Sequence, residues 1–187
     1  MTEELEITVQ VTCNYENLNN MLLEKGFKVK EEYTVLDIYV IPNEIDISST
    51  ETLELLSKCV LIRNVLGIEK ELLYKYKEYD AEKRIIHQGK SSCSIIDVQQ
   101  GIRFMEAIGY SRLFQIEDRC IVYYNETTEL IVQIVNNEYI FIEIEGNIEH
   151  ENIKDLIKKI NVLSLPIVQN NYFAKKAEIL LDKELNR

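Results

Sequence analysis

Prolines are scarce in this chain, two in 187 residues, and glycines number only six, which excludes collagen-like, linker and low-complexity classes. No apolar run approaches the roughly eighteen residues that a membrane span needs. The opening Met1-Thr2-Glu3-Glu4 lacks the basic and then apolar character of a secretory leader, so a cytoplasmic protein is expected. Cys13, Cys59, Cys93 and Cys120 stand far apart with no C-x-x-C pair, which argues against a zinc site or a disulfide framework and for reduced, mostly buried thiols. His87 and His150 fit no metal-ligand spacing, and no P-loop, Rossmann glycine set or nucleophile elbow is present. Positive charge is also short: 21 basic against 32 acidic residues leave a net charge of −11 and a pI near 4.8. That balance disfavours nucleic acid and anionic membranes as partners. A small anionic ligand would need basic side chains gathered locally.

At 46% hydrophobic and 28% charged, the composition is that of a folded protein, and the length suits a single domain over residues 1–187. Oligomeric state is left open, a homodimer included. Residues 4–11 alternate without error, Leu5, Ile7, Val9 and Val11 against Glu4, Glu6, Thr8 and Gln10, which predicts a half-buried strand. Asn14 is placed to cap a helix through Leu18 and Leu22 that Gly26 ends, and Phe27 leads into a strand over 33–41. A helical turn at 50–58 precedes short strands at 59–64, 71–78 and 83–88. The plan then recurs: a strand at 92–96, a helix over 98–108 capped by Asp97, then Gly109, Tyr110 and another strand. Strands at 114–124, 128–135 and 139–145 and helices at 149–160 and 171–185 complete the chain. Nine or ten strands in meanders, with about four helices, predict an α+β fold: a closed or nearly closed antiparallel β-barrel with helices packed outside.

Candidate chemistry lies on the polar faces of these strands. Glu4 and Glu6 share one face of the first strand, and Glu143 and Glu145 share one face of the last. Carboxylates at i and i+2 are about 7 Å apart and neighbouring strands about 5 Å, so two E-x-E strands side by side would concentrate acids that a hard divalent ion can hold. Lys75 and Lys77 point the same way, and Arg63 and Arg119 stand inside otherwise apolar strands where a charge needs a partner. Taken singly, each feature is more often a solvated strand face, an edge lysine or a structural ion pair.

The order of motifs resembles the CYTH family, the triphosphate tunnel enzymes that include class IV adenylate cyclases and thiamine triphosphatases. Glu4-Leu5-Glu6-Ile7-Thr8 stands where the family has E-x-E-x-K, Asp37-Ile38-Tyr39 is similar to D-x-Y, Val60-Leu61-Ile62-Arg63 to L-R-I-R, and Leu72-Leu73-Tyr74-Lys75 to L-T-Y-K. Ile108-Gly109-Tyr110, Glu117-Asp118-Arg119, Phe141-Ile142-Glu143-Ile144-Glu145-Gly146 and the closing Asn171-Tyr172 helix extend the likeness over nearly the whole chain. The resemblance implies a barrel lumen in which Glu4, Glu6, Glu143 and Glu145 hold Mg²⁺ or Mn²⁺. Arg63, Lys75 and Arg119, with Arg84 and Lys77, would bind the phosphates of a small triphosphate. Thr8, Leu61, Asp118 and Gln133 each replace a charged residue of the family pattern. Three functions are therefore expected as competitors: hydrolysis of tripolyphosphate or of a nucleoside or thiamine triphosphate, cyclisation of ATP, and binding without turnover. Hydrolysis demands least of the site.

Overall fold

The computed structural model describes residues 2–3, 5–79 and 85–186. In chain order its elements are β1 (Thr2–Glu3), β2 (Glu6–Gln10), α1 (Tyr15–Glu24), β3 (Lys28–Pro42), α2 (Thr52–Lys58), β4 (Val60–Val65), β5 (Glu69–Tyr79), β6 (Ile85–Ser94), α3 (Val98–Ala107), β7 (Tyr110–Tyr124), β8 (Glu129–Val135), β9 (Tyr139–Glu145), α4 (Ile153–Val162) and α5 (Lys176–Glu184). The α+β class with antiparallel strands is as expected. Two expected strands, 83–88 and 92–96, prove to be the single β6. Gly89, Lys90, Ser91 and Ser92 have the composition of a turn, but β5 pairs with them residue for residue.

The chain divides into two units. The first comprises Met1–Glu3, Val35–Glu117 and Lys175–Arg187, and the second Glu4–Thr34 and Asp118–Ala174, so β3 and β7 contribute to both. Strand order is β1-β6-β5-β4-β3-β7 in the first unit and β3-β7-β8-β9-β2 in the second.

In the first unit, α3 begins where the Asp97 side chain accepts from Gln100 N at 2.9 Å. Met105 of this helix packs on Ile38, Val40 and Ile62, whose strands thereby bury one face. Alternation then assigns Asp37, Arg63, Lys75 and Lys77 to the opposite face, the one α3 leaves uncovered.

In the second unit, the Asn14 side chain accepts from Asn17 N, starting α1. Gly26, at φ 81°, ends it, with Gly26 N and Phe27 N bonding back to Leu23 and Leu22 carbonyls. Leu18 and Leu22 of α1 and Leu156 and Ile160 of α4 bury against Ile7, Val9, Ile121, Tyr123, Val132, Ile142 and Ile144. Each such aliphatic side chain contributes about 1.5–3 kcal/mol. The other face of β2, β8 and β9 carries Glu6, Thr8, Gln133, Glu143 and Glu145. The second edge of β2 is taken by the chain after α4: Thr8 N donates to Tyr172 O at 3.1 Å, Ala174 N to Thr8 O at 2.8 Å, and Val168 N to Gln10 O at 2.9 Å. Those bonds satisfy an edge that would otherwise expose its backbone.

Candidate metal and phosphate site

Antiparallel register assembles the acids of the second unit. Glu6 lies directly across from Glu145, and Thr8 across from Glu143, so Glu6 and Glu143 are diagonal neighbours on the same face. One carboxylate oxygen from each of Glu6, Glu143 and Glu145 falls within 4.8 Å of the others. Three negative groups so close repel, and a cation drawn between their oxygens would offset that repulsion. An all-oxygen donor set suits a hard ion such as Mg²⁺ or Mn²⁺. Gln133, buried on the next strand, donates its amide to Glu143 Oε2 at 3.1 Å. The amide orients that carboxylate without adding charge, where an acid would have supplied a ligand. Glu4, the fourth acid expected here, lies outside the described residues.

Tyr33, half-buried, is a neighbour of these acids that sequence reasoning missed. Burial chiefly, with Cys120 and the negative charges of Glu143, Glu31 and Glu145, pushes its phenol well above the ordinary range, so it stays a neutral hydroxyl.

In the first unit Arg63 is held by Asp37. Its Nε donates to Oδ1 at 2.8 Å and its Nη2 to Oδ2 at 2.7 Å, the side chains being 20% and 2% exposed. Burial raises the Asp37 carboxyl, but the hydrogen bonds and charge of Arg63, with Lys176 and Lys75, outweigh it and hold the group below the usual carboxylate range. Burial likewise opposes the Arg63 charge, and the same pair of bonds reverses that effect. A bidentate pair of this kind uses much of the guanidinium fork. Lys75 is half-buried on the same face and Lys77 is exposed. On that face Tyr39 also stacks on Phe114, ring centroids 4.3 Å apart, so part of it is apolar. Arg84 lies outside the described residues. A cavity of about 350 Å³ in this unit, lined by Ser48, Ser49, Thr50, Glu51, Thr52, Leu53, Glu178 and Asp182, has acids and hydroxyls but no cation, which suits no phosphate.

Arg119 corrects the expectation. It pairs in register with Ile134 and shares its face with Ile121 and Tyr123, the face that α1 and α4 cover, away from Glu6 and Glu143. There its Nε and Nη2 donate to Glu32 at 2.6 and 3.1 Å, and its guanidinium lies 5.4 Å from the centre of the Tyr15 ring. The polar-face position of β7 is held by Asp118, 2% exposed, in line with Cys120. Alternation upstream carried the signal: Phe114 and Ile116 are in phase with Asp118, whereas Gln115 and Glu117 are in phase with Arg119.

No protein-family model matches the chain, and no curated protein does. Solved structures do. The PH1819 protein of Pyrococcus horikoshii OT3 superposes with a TM-score of 0.69 at 19% identity, covering 96% of this chain and 99% of its own. HpAC1 from Hippeastrum, a candidate adenylyl cyclase described with a dominant triphosphatase activity, matches at TM-score 0.65 and 14% identity over 97% of this chain and 96% of its own. A candidate adenylate cyclase from Vibrio parahaemolyticus matches at 0.63 and 12%, over 96% and 99%. With these near-complete coverages, the chain shares the antiparallel α+β fold of these structures.

Proposed function

We propose that this protein binds a divalent cation, Mg²⁺ or Mn²⁺, through Glu6, Glu143 and Glu145 and, with it, a small triphosphate that it hydrolyses. The convergence of three carboxylate oxygens within 4.8 Å on one strand face carries the reading. Support comes from the fold shared with a protein described as a triphosphatase. Within the first unit, Lys75 and Lys77 are proposed as phosphate-binding residues of their own strand face. Bound metal would neutralise phosphoryl oxygens and lower the pKa of a water. Tripolyphosphate is the simplest member of the substrate class, with nucleoside and thiamine triphosphates beyond it, in a cytoplasmic setting that four unbridged cysteines fit.

Phosphate release from tripolyphosphate in the presence of Mg²⁺ or Mn²⁺ tests the proposal. Turnover should be abolished by chelation and reduced at least a hundredfold in Glu143→Gln; metal-independent turnover, or turnover indifferent to that change, rejects it. Assaying ATP for cyclic AMP separates cyclisation from hydrolysis. A second reading, binding without turnover, is favoured by the Asp37 carboxylate on Arg63 and by Gln133, which leaves the cluster one acid short. Thermal stabilisation by tripolyphosphate and metal with no product released would select it.

A further inference from the structure

Glu143 has an uncharged residue directly across from it on either side, Thr8 of β2 and Ile131 of β8. Gln133, further along β8 on the same face, reaches it diagonally, its Nε2 donating to Glu143 Oε2 at 3.1 Å. Packing fixes that amide in place. Gln133 is 6% exposed, and its partners in register, Cys120 of β7 and Phe141 of β9, are both buried. A carboxylate in the same position would be desolvated by those two side chains and repelled by Glu143, whereas an amide meets neither cost. Among the described residues no further acid joins Glu6, Glu143 and Glu145 within 4.8 Å, and Glu129 of β8 is exposed and holds Lys30 at 2.8 Å. One dication would bring the three carboxylates to a net charge of −1. Two ions held about 3.5–4 Å apart, as in two-metal sites, need carboxylates that bridge them. Glu143 is poorly placed to bridge, because one of its oxygens already faces the positive end of an N–H.

We infer that Gln133 is a positioning residue that limits the acid cluster to a single divalent ion: its amide holds the Glu143 carboxylate at Oε2, leaves Oε1 for that ion and keeps a second cation from bridging. This rests on the metal reading above and deepens it. The number of ions is thereby set by a residue that is itself neither a metal ligand nor a phosphate contact.

Titration of the full chain with Mn²⁺ and no triphosphate, followed by electron paramagnetic resonance of the unbound ion and by calorimetry, tests this role. The wild type should bind one Mn²⁺ per chain. Gln133→Leu keeps a side chain of similar size between Cys120 and Phe141 but removes the donor, and should weaken Mn²⁺ binding about tenfold or more. Gln133→Glu is isosteric and adds a charge. Without metal it should melt below the wild type, because Glu143 repels the new acid; with Mn²⁺ it should show a larger rise than the wild type and take up more than one ion. A wild type that binds two ions with comparable affinity, or variants whose affinity and stoichiometry match the wild type's, would overturn the role of Gln133 while the metal reading stands. Should Gln133→Leu fail to fold, Gln133→Glu decides by its stoichiometry and its metal-dependent rise. If the wild type binds no Mn²⁺ at all, the metal reading falls and takes the role of Gln133 with it.

Discussion

At the scale of single residues, the Asp37–Arg63 pair has the largest energetic stake. Removing one partner of a buried pair leaves the other charged and unsolvated, so Arg63→Ala should cost about 3–5 kcal/mol, read as a lowered denaturation midpoint. The pair also sets an acid limit. Because the folded Asp37 carboxyl lies below its unfolded value of 3.8, the unfolded chain binds the proton first as pH falls. Its contribution is complete above that value and is lost as pH drops through the folded one. Melting temperature should therefore fall more steeply below about pH 4 in the wild type than in Asp37→Asn; parallel acid limbs would count against the assignment. The thiols differ sharply: burial pushes Cys59 up to about 12, whereas Cys93 is exposed. Alkylation at pH 8 should label Cys93 within minutes and spare Cys59 until the protein unfolds, as peptide mass mapping would show. Asp37 stood in plain view in the sequence as part of a D-x-Y motif. That it would meet Arg63 could not be read there, because 26 positions separate them and only the β3–β4 register sets them opposite.

Among elements, the helix that ends in glycine before an aromatic-led strand occurs twice as expected, at Gly26 with φ 81° and Gly109 with φ 89°. A Cβ at either position would touch nothing within 4 Å, so alanine meets only the backbone penalty of the left-handed conformation. Gly26→Ala and Gly109→Ala should each lose about 1–2 kcal/mol without altering circular dichroism at low temperature. Strands were harder to read than helices where both faces are buried. In β7, Cys120, Ile121, Val122 and Tyr123 are all buried, so beyond Arg119 no polar-apolar alternation marks the faces, and its direction has to be taken from residues 114–118. A one-residue change of phase moves a strand's whole side-chain set to the opposite face, which is why Arg119 went to Glu32 and Asp118 took the polar position. In β6, small residues concealed a strand.

For the molecule as a whole, a net charge of −11 opposes the approach of any polyanion. Tripolyphosphate alone should therefore give no thermal shift, and tripolyphosphate with Mg²⁺ a clear one; Mn²⁺ by itself should raise the melting temperature, and Glu6→Gln should remove most of that rise. An equal shift with and without metal would disprove the coupling. Sequence alone determined the antiparallel α+β class, the helix caps at Asn14 and Asp97 and the acidic faces of β2 and β9. Those follow from local rules: the period of two along a strand, the cap residue's free oxygen, and glycine's tolerance of positive φ. Tertiary structure decided which charges meet. Glu6 joined Glu143 and Glu145, Arg63 was claimed by Asp37, and Arg119 was carried to the helix-covered face. Each outcome depends on strand register between residues distant in sequence, and register is settled by the packing of the apolar faces.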